Sequence, residues 1–192
     1  MTEGYKTVSA SETTLTELMI PSYSNFGGKI HGGVILSLMD KVAYVCAAKH
    51  ADAYCVTASI DTVDFLAPVE VGEIVSLLAS VNYVGNSSIV IGIKVITENV
   101  KTHLAKHTNT SYFTMVAMEG NKPVQVPGLI LQNRTEVRRF YEALRRKELK
   151  KNYKKEEAEL KVTGANGEIF DILKGERCLI TEDVARQDIL SR

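Results

Sequence analysis

No apolar run in the 192 residues reaches the roughly 18 residues that a membrane-spanning helix needs. The first residues, Met1-Thr-Glu-Gly-Tyr-Lys6, lack the apolar h-region of a secretory leader, so we expect a cytoplasmic protein. Charge of one sign is missing too. Lys plus Arg and Asp plus Glu number 23 each, and the pI is near 6.9, which argues against a dedicated nucleic-acid binder. Cysteine is scarce. Cys46, Cys55 and Cys178 are odd in number and follow no metal-ligand spacing, as in a reducing compartment. Cys46 and Cys55 lie in apolar runs and read as core filler. There is no internal repeat and no low-complexity stretch.

What the chain does have is 45% hydrophobic content, enough for one packed domain and an appendage. The most informative stretch runs from Asn25 to Asp40. A loop holding Asn25, Gly27 and Gly28 enters His31-Gly32-Gly33, and an almost wholly apolar segment follows with Asp40 set inside it. Glycines before a helix leave its first N–H groups uncovered at the positive end of the helix dipole, where a carbonyl oxygen can be polarised. Asp40 falls about two turns further on, and a carboxylate among apolar residues is expected to be paired or used. The pattern reads as a hydrolase site. The competing reading is a surface Asp40-Lys41 pair on the one polar stripe of the helix.

The helix is expected from Gly33 to about His50, apolar on nearly every face and hence buried all round. Something must wrap it. Residues 13–20 read as a short strand ending at Pro21. Tyr54–Leu66, Glu73–Val84, Ser88–Thr97 and Leu104–Met118 read as successive strands, with a turn at Gly85-Asn86. This is an antiparallel meander around one helix, an α+β class. Pro123 to Pro127 closes the domain, which we place at residues 1–130. Residues 131–192 form an extension. It begins with a helix over 134–155, carrying ten Lys or Arg against three Glu, and ends in an acidic tail with an apolar cluster at 169–173.

In this order, Asn25, His31-Gly32-Gly33 and Asp40 resemble the hotdog-fold acyl-CoA thioesterases, specifically the cytosolic long-chain acyl-CoA hydrolase branch. The resemblance continues in Val56-Thr-Ala-Ser-Ile-Asp61, Asp64-Phe-Leu-Ala-Pro-Val69, Val71-Gly-Glu73 and Gly85-Asn-Ser-Ser88, and covers about residues 14 to 145. It implies the hotdog fold, a long helix wrapped by a curved antiparallel sheet. It also implies hydrolysis of fatty acyl-CoA to free fatty acid and CoA, with no metal and no cofactor beyond the CoA of the substrate. The partners implied are acyl-CoA and further copies of the chain, as a trimer of hotdog dimers, with no nucleic acid and no membrane span.

The resemblance assigns Asp40 as the catalytic carboxylate, acting either as base toward water or as nucleophile on the thioester. It has Asn25 help hold the nucleophile or water. One chain carries both residues, which implies sites that combine Asn25 of one protomer with Asp40 of another. Gly33, an early helical N–H, is the expected oxyanion donor. His31 and Gly32 are expected to close the loop or to contact the pantetheine. Thr57 and Ser59 are expected on the strand beside the thioester, and Asn86, Ser87 and Ser88 near the bound CoA. The basic run over 134–155 reads first as a solvated helix face and second as a field that attracts the CoA phosphates. The alternative from another class is a non-catalytic hotdog acyl-CoA sensor. It would need a DNA-reading element that the sequence does not display and would have no use for Asp40.

Overall fold

Residues 32–51 carry apolar side chains at helical spacing, and His31 caps their start, so α1 runs from Gly32 to Ala51. The computed structural model describes residues 4–163, 173 and 175–181. Before α1 come β1 (Tyr5–Thr7), β2 (Thr13–Leu18) and a single 3-10 turn at Pro21–Tyr23. After it come β3 (Tyr54–Ile60), β4 (Glu73–Val84), β5 (Ser88–Asn99), β6 (Ala105–Glu119), β7 (Lys122–Pro123), β8 (Gly128–Ile130) and α2 (Arg134–Thr163). The main sheet is antiparallel in the order β2-β4-β5-β6-β3 and curls around α1 in the hotdog arrangement.

Alternation along the strands decides which face meets α1. Val75, Leu77, Ala79 and Val81 of β4, Ile89, Ile91, Ile93 and Val95 of β5, and Phe113, Met115 and Ala117 of β6 point inward. They close on Ile35, Met39, Val42, Ala43, Cys46 and Ala47 of the helix. These inner side chains have almost no exposed surface, so the space between helix and sheet is filled. Burial pushes the Cys46 thiol up to about 12, which makes it an inert filler.

Two expectations change. The helix is not buried all round. Asp40, Lys41, Tyr44 and Val45 lie on an exposed face of the single chain, and the apolar Tyr44 and Val45 keep 40% and 38% of their surface. The strand expected over Tyr54–Leu66 stops at Ile60, and Phe65 and Leu66 are exposed in the loop beyond it. β8 pairs in parallel with β1, from Tyr5 opposite Gly128 to Thr7 opposite Ile130.

The compact unit runs through Leu144, so the first residues of α2 belong to it. Asn133 Oδ1 accepts from Glu136 N–H at 3.0 Å, and Glu136 accepts in return from Gln132 N–H at 2.6 Å, which starts the helix. Phe140 then packs on Tyr83 with ring centroids 5.1 Å apart, and Ala143 is buried. A second unit covers 145–192. Its helix through Glu159 is mostly exposed and basic, with Arg145 and Glu148 paired at 2.7 Å. Apart from Leu173, the cluster at 169–173 lies outside the described residues, as does most of the acidic tail. No described helix is long and apolar enough to cross a membrane.

His50, in the last turn of α1, has no exposed surface. Its Nε2 donates to the Pro127 carbonyl at 3.0 Å, and its Nδ1 has no partner among the described residues. Burial holds its pKa below the ordinary imidazole value. The unfolded chain therefore takes up a proton near pH 6.5 that the folded chain resists. His50 leaves stability intact above that pH and erodes it as pH falls from about 6.5 toward the lower folded value. Denaturant midpoints measured between about pH 7 and 5 should fall, and His50→Gln should flatten that fall. A slope unchanged in His50→Gln would assign the pH dependence elsewhere.

Candidate active site

The loop before α1 is held by its own side chains. Asn25 N–H donates to the Lys29 carbonyl, and Ser24 bridges to Ile30 across the loop. Asn25 Oδ1 accepts from Gly27 N–H at 2.9 Å and from Lys29 N–H at 3.2 Å. The carbonyl end of Asn25 thus builds the loop, and its amide NH2 has no partner among the described residues. Phe26, next to it, is fully exposed.

His31 is the N-cap of α1, with φ −64° and ψ 128°. Its Nδ1 accepts from Gly33 N–H at 2.9 Å, which puts the ring proton on Nε2. This corrects the expectation for Gly33. Its N–H is already committed to His31 and is not free for an oxyanion. The N–H at the helix start without an acceptor among the described residues is that of Gly32. At both glycines a side chain packs close to the backbone. A Cβ on Gly33 would stand 3.0 Å from His31 Nδ1, and one on Gly32 would stand 3.3 Å from the Phe65 ring. Phe65 roofs the helix start, and its sequence context does not mark it for that role.

Asp40 lies seven residues beyond Gly33 on the helix face that turns toward β3. Its Oδ1 accepts from the Thr57 hydroxyl at 2.6 Å, and Thr57 also meets Met115 Sδ at 3.4 Å. β3 carries a bulge between Thr57 and Ser59, where Ala58 is the extra residue. Thr57 stands opposite inward-facing Met115, and Ser59 stands opposite Thr114 on the other face. Thr57 and Ser59, both expected on the strand beside the thioester, therefore turn to opposite faces, and it is Thr57 that donates to Asp40. Between α1 and β3 lies an open cleft of about 580 Å³ lined by Asp40, Tyr44, Val45, Tyr54, Thr57 and Met115. The Tyr44 and Tyr54 rings sit with centroids 6.1 Å apart.

Asn86 and Ser87 form the turn between β4 and β5, and Ser88 begins β5. Val126 N–H donates to the Asn86 carbonyl and Ala117 N–H to the Ser87 carbonyl, each at 2.9 Å, so the backbone pins the turn. Ile89, Met115 and Thr57 form one row across β5, β6 and β3. The turn thus lies at the Thr57 end of the sheet, one strand away. Among the described residues no group of three or more His, Cys, Asp or Glu comes together as a metal site.

Within one chain two half-sites result, a helix start with Gly32 and His31 beside Asn25, and a carboxylate with Thr57. At 1.5 Å of rise per residue, the eight residues from Gly32 to Asp40 separate them by about 12 Å along the axis.

Comparison with known proteins gives the following. The thioesterase superfamily matches residues 27–103. Protein VdlD of Helicobacter pylori is 44% identical over 75% of this chain and 83% of its own length. An uncharacterized acyl-CoA thioester hydrolase of Bacillus subtilis, YkhA, is 35% identical over 76% of this chain and 85% of its own. The cytosolic acyl coenzyme A thioester hydrolase of Rattus norvegicus is 33% identical over 71% of this chain, which spans 36% of that protein. Among solved structures, an apo-hexameric acyl-CoA thioesterase matches with a TM-score of 0.75 and 36% identity, over 78% of this chain and 96% of that one.

Proposed function

The chain belongs to the thioesterase superfamily, and from that premise we propose that it is an acyl-CoA hydrolase releasing free fatty acid and CoA. The observation that carries the reading is the Asp40–Thr57 pair at 2.6 Å, facing an open, largely apolar cleft. The Thr57 hydroxyl orients the carboxylate through Oδ1 and leaves Oδ2 toward the cleft. There it deprotonates the attacking water or attacks the thioester carbonyl itself. The C–S bond breaks, the thiolate of CoA leaves and takes up a proton, and water supplies the new carboxyl oxygen. No redox step occurs.

The carbonyl oxygen needs a donor during attack. Gly32 N–H at the start of α1 is the available one, with the Asn25 amide and His31 Nε2–H beside it. About 12 Å along the helix separates this group from Asp40, whereas a carbonyl bond spans about 1.2 Å. One thioester cannot be served by both half-sites of the same chain. A second protomer must supply one of them, so the active unit is a homo-oligomer, and we propose a trimer of hotdog dimers. The hexameric thioesterase among the structural neighbours supports this assembly. So do the outer edge of β3, which meets no further strand among the described residues, and the exposed Tyr44, Val45, Tyr54 and Ile60 beside it. The acyl chain then lies along the Tyr44–Val45 side of α1, since the helix–sheet core is filled. CoA stays at the surface near the Asn86–Ser88 turn. The compartment we propose is the cytoplasm, as in the name of the rat relative.

The deciding experiment is a hydrolysis assay across acyl-CoA lengths from acetyl to stearoyl, read by free thiol. Thiol release on fatty acyl-CoA is the expected result. Tight binding without thiol release at any length would replace the hydrolase by the sensor reading.

Gly33→Val tests the helix start. The new side chain meets the His31 ring, displaces it from the cap and crowds the approach to Gly32 N–H. Loss of the cap should cost about 1 kcal/mol of stability. Disturbing the donor geometry should lower kcat by on the order of 100-fold. A folded variant with parental kcat would remove the helix start from the reaction.

A further inference from the structure

On the sheet face turned away from α1, we propose a second binding site that takes a phosphorylated small molecule of about nucleotide size. The site is a pocket of about 440 Å³ between the outer face of β4, β5 and β6 and the first turns of α2, within the first compact unit. It shares no lining residue with the Asp40 cleft.

Its floor is built from buried polar groups. The ladder between β4 and β5 shifts register between Val81 and Tyr83, so Asn82 is the extra residue of a bulge. Bulges re-aim side chains, and this one lays Asn82 over Gly92 of β5. A Cβ on Gly92 would clash with the Asn82 amide where it now lies, so glycine leaves the amide its place. Asn82 is 5% exposed, and its one hydrogen bond among the described residues is from Ser80 Oγ at 3.3 Å. If the amide is turned round, Ser80 becomes the acceptor and the other end is left over. In either orientation one polar atom of this pocket-lining amide has no hydrogen-bond partner among the described residues. A bulge, a glycine and a largely buried amide in register are more than a sheet needs to hold a helix, and they place that amide in the lining of the pocket.

The rim supplies positive charge. Arg139 reaches Ser80 Oγ at 3.4 Å, and Lys94 has no ionic partner among the described residues. Arg138 is neutralised by Glu142 at 2.6 Å, which leaves Lys94 and Arg139 against Glu12. These two cations fit a phosphoryl group, and the Asn82 amide, donor and acceptor at once, fits the polar body of the same molecule. The volume lies within the usual range of small-molecule sites and is several times what one inorganic phosphate fills.

The experiment is calorimetric titration of the full-length oligomer, with CoA already saturating, using adenosine monophosphate, ribose 5-phosphate and inorganic phosphate. Saturation with CoA separates this site from the catalytic one, and direct binding makes the test independent of the hydrolase reading. At least one of the two esters should bind more tightly than inorganic phosphate. The double variant Lys94→Glu/Arg139→Glu should weaken that binding at least tenfold while oligomer mass and thiol release stay parental. Asn82→Asp keeps the shape of the floor and brings a negative charge to the ligand, so it should also weaken binding at least tenfold. The proposal is overturned if neither ester binds at millimolar concentration, or if both variants bind as the parent does. It is also overturned if the double variant lowers the oligomer mass, which would make this face a contact between copies of the chain.

Discussion

Asp40→Asn should leave a folded oligomer that binds acyl-CoA and hydrolyses it on the order of 100- to 10,000-fold more slowly, the usual cost of removing one acid–base group. The structure makes this a clean substitution. The Thr57 hydroxyl that donates to Asp40 Oδ1 at 2.6 Å donates equally well to an amide oxygen, so the side chain keeps its place. Asp40 lies on the exposed face of α1, so no core packing changes. What disappears is the negative oxygen toward the cleft, needed both for the base and for the nucleophile. Single-turnover thiol release and CoA affinity, measured on the same preparation, separate chemistry from binding. Parental turnover of palmitoyl-CoA by Asp40→Asn would sink the mechanism. A loss confined to affinity would move Asp40 from the reaction to substrate binding.

Mixing two inactive proteins should restore activity. Asn25→Ala and Asp40→Ala oligomers should each be nearly silent when pure. In a mixed dimer, one site loses both residues, and the other draws Asn25 from one chain and Asp40 from its partner. Random mixing makes about half the dimers mixed, each with one good site of two, so up to roughly a quarter of parental activity should return. The roughly 12 Å that α1 places between its start at Gly32 and Asp40 is the reason to expect this arrangement for a reaction that needs both ends at one carbonyl. Co-expression with two different affinity tags isolates the mixed species. Mixed dimers that form and stay silent would put Asn25 and Asp40 in one site of one chain, or reduce Asn25 to the loop it builds through Oδ1. Both outcomes are readable because Asn25→Ala removes loop hydrogen bonds at 2.9 and 3.2 Å and leaves the Asp40–Thr57 pair untouched.

Local chemistry in the sequence settled the elements that are long and strongly patterned. The apolar helix expected over 33–50 is Gly32–Ala51, and the strand expected over Glu73–Val84 is found with those ends. The turn at Gly85-Asn86 and the start of β5 at Ser88 also follow, because turn residues and β-branched runs act over a few neighbours. The family was legible for a related reason: Asn25, His31-Gly32-Gly33 and Asp40 keep a fixed spacing along one loop and one helix. Tertiary structure alone decided what depends on register and on distant partners. β1 and β8 are three residues each, too short for a period, and exist because they find each other across the chain. The bulge at Ala58, invisible in a sequence of alternating residues, sends Thr57 to Asp40 and Ser59 to the other face. The His31 ring takes the Gly33 N–H, so the free donor falls to Gly32. The helix that reads as apolar all round buries one side in its own sheet and leaves Tyr44 and Val45 exposed. Hydropathy records how much surface a residue needs to cover; the fold decides which surface covers it, and here one face of the helix is left for contact beyond the single chain.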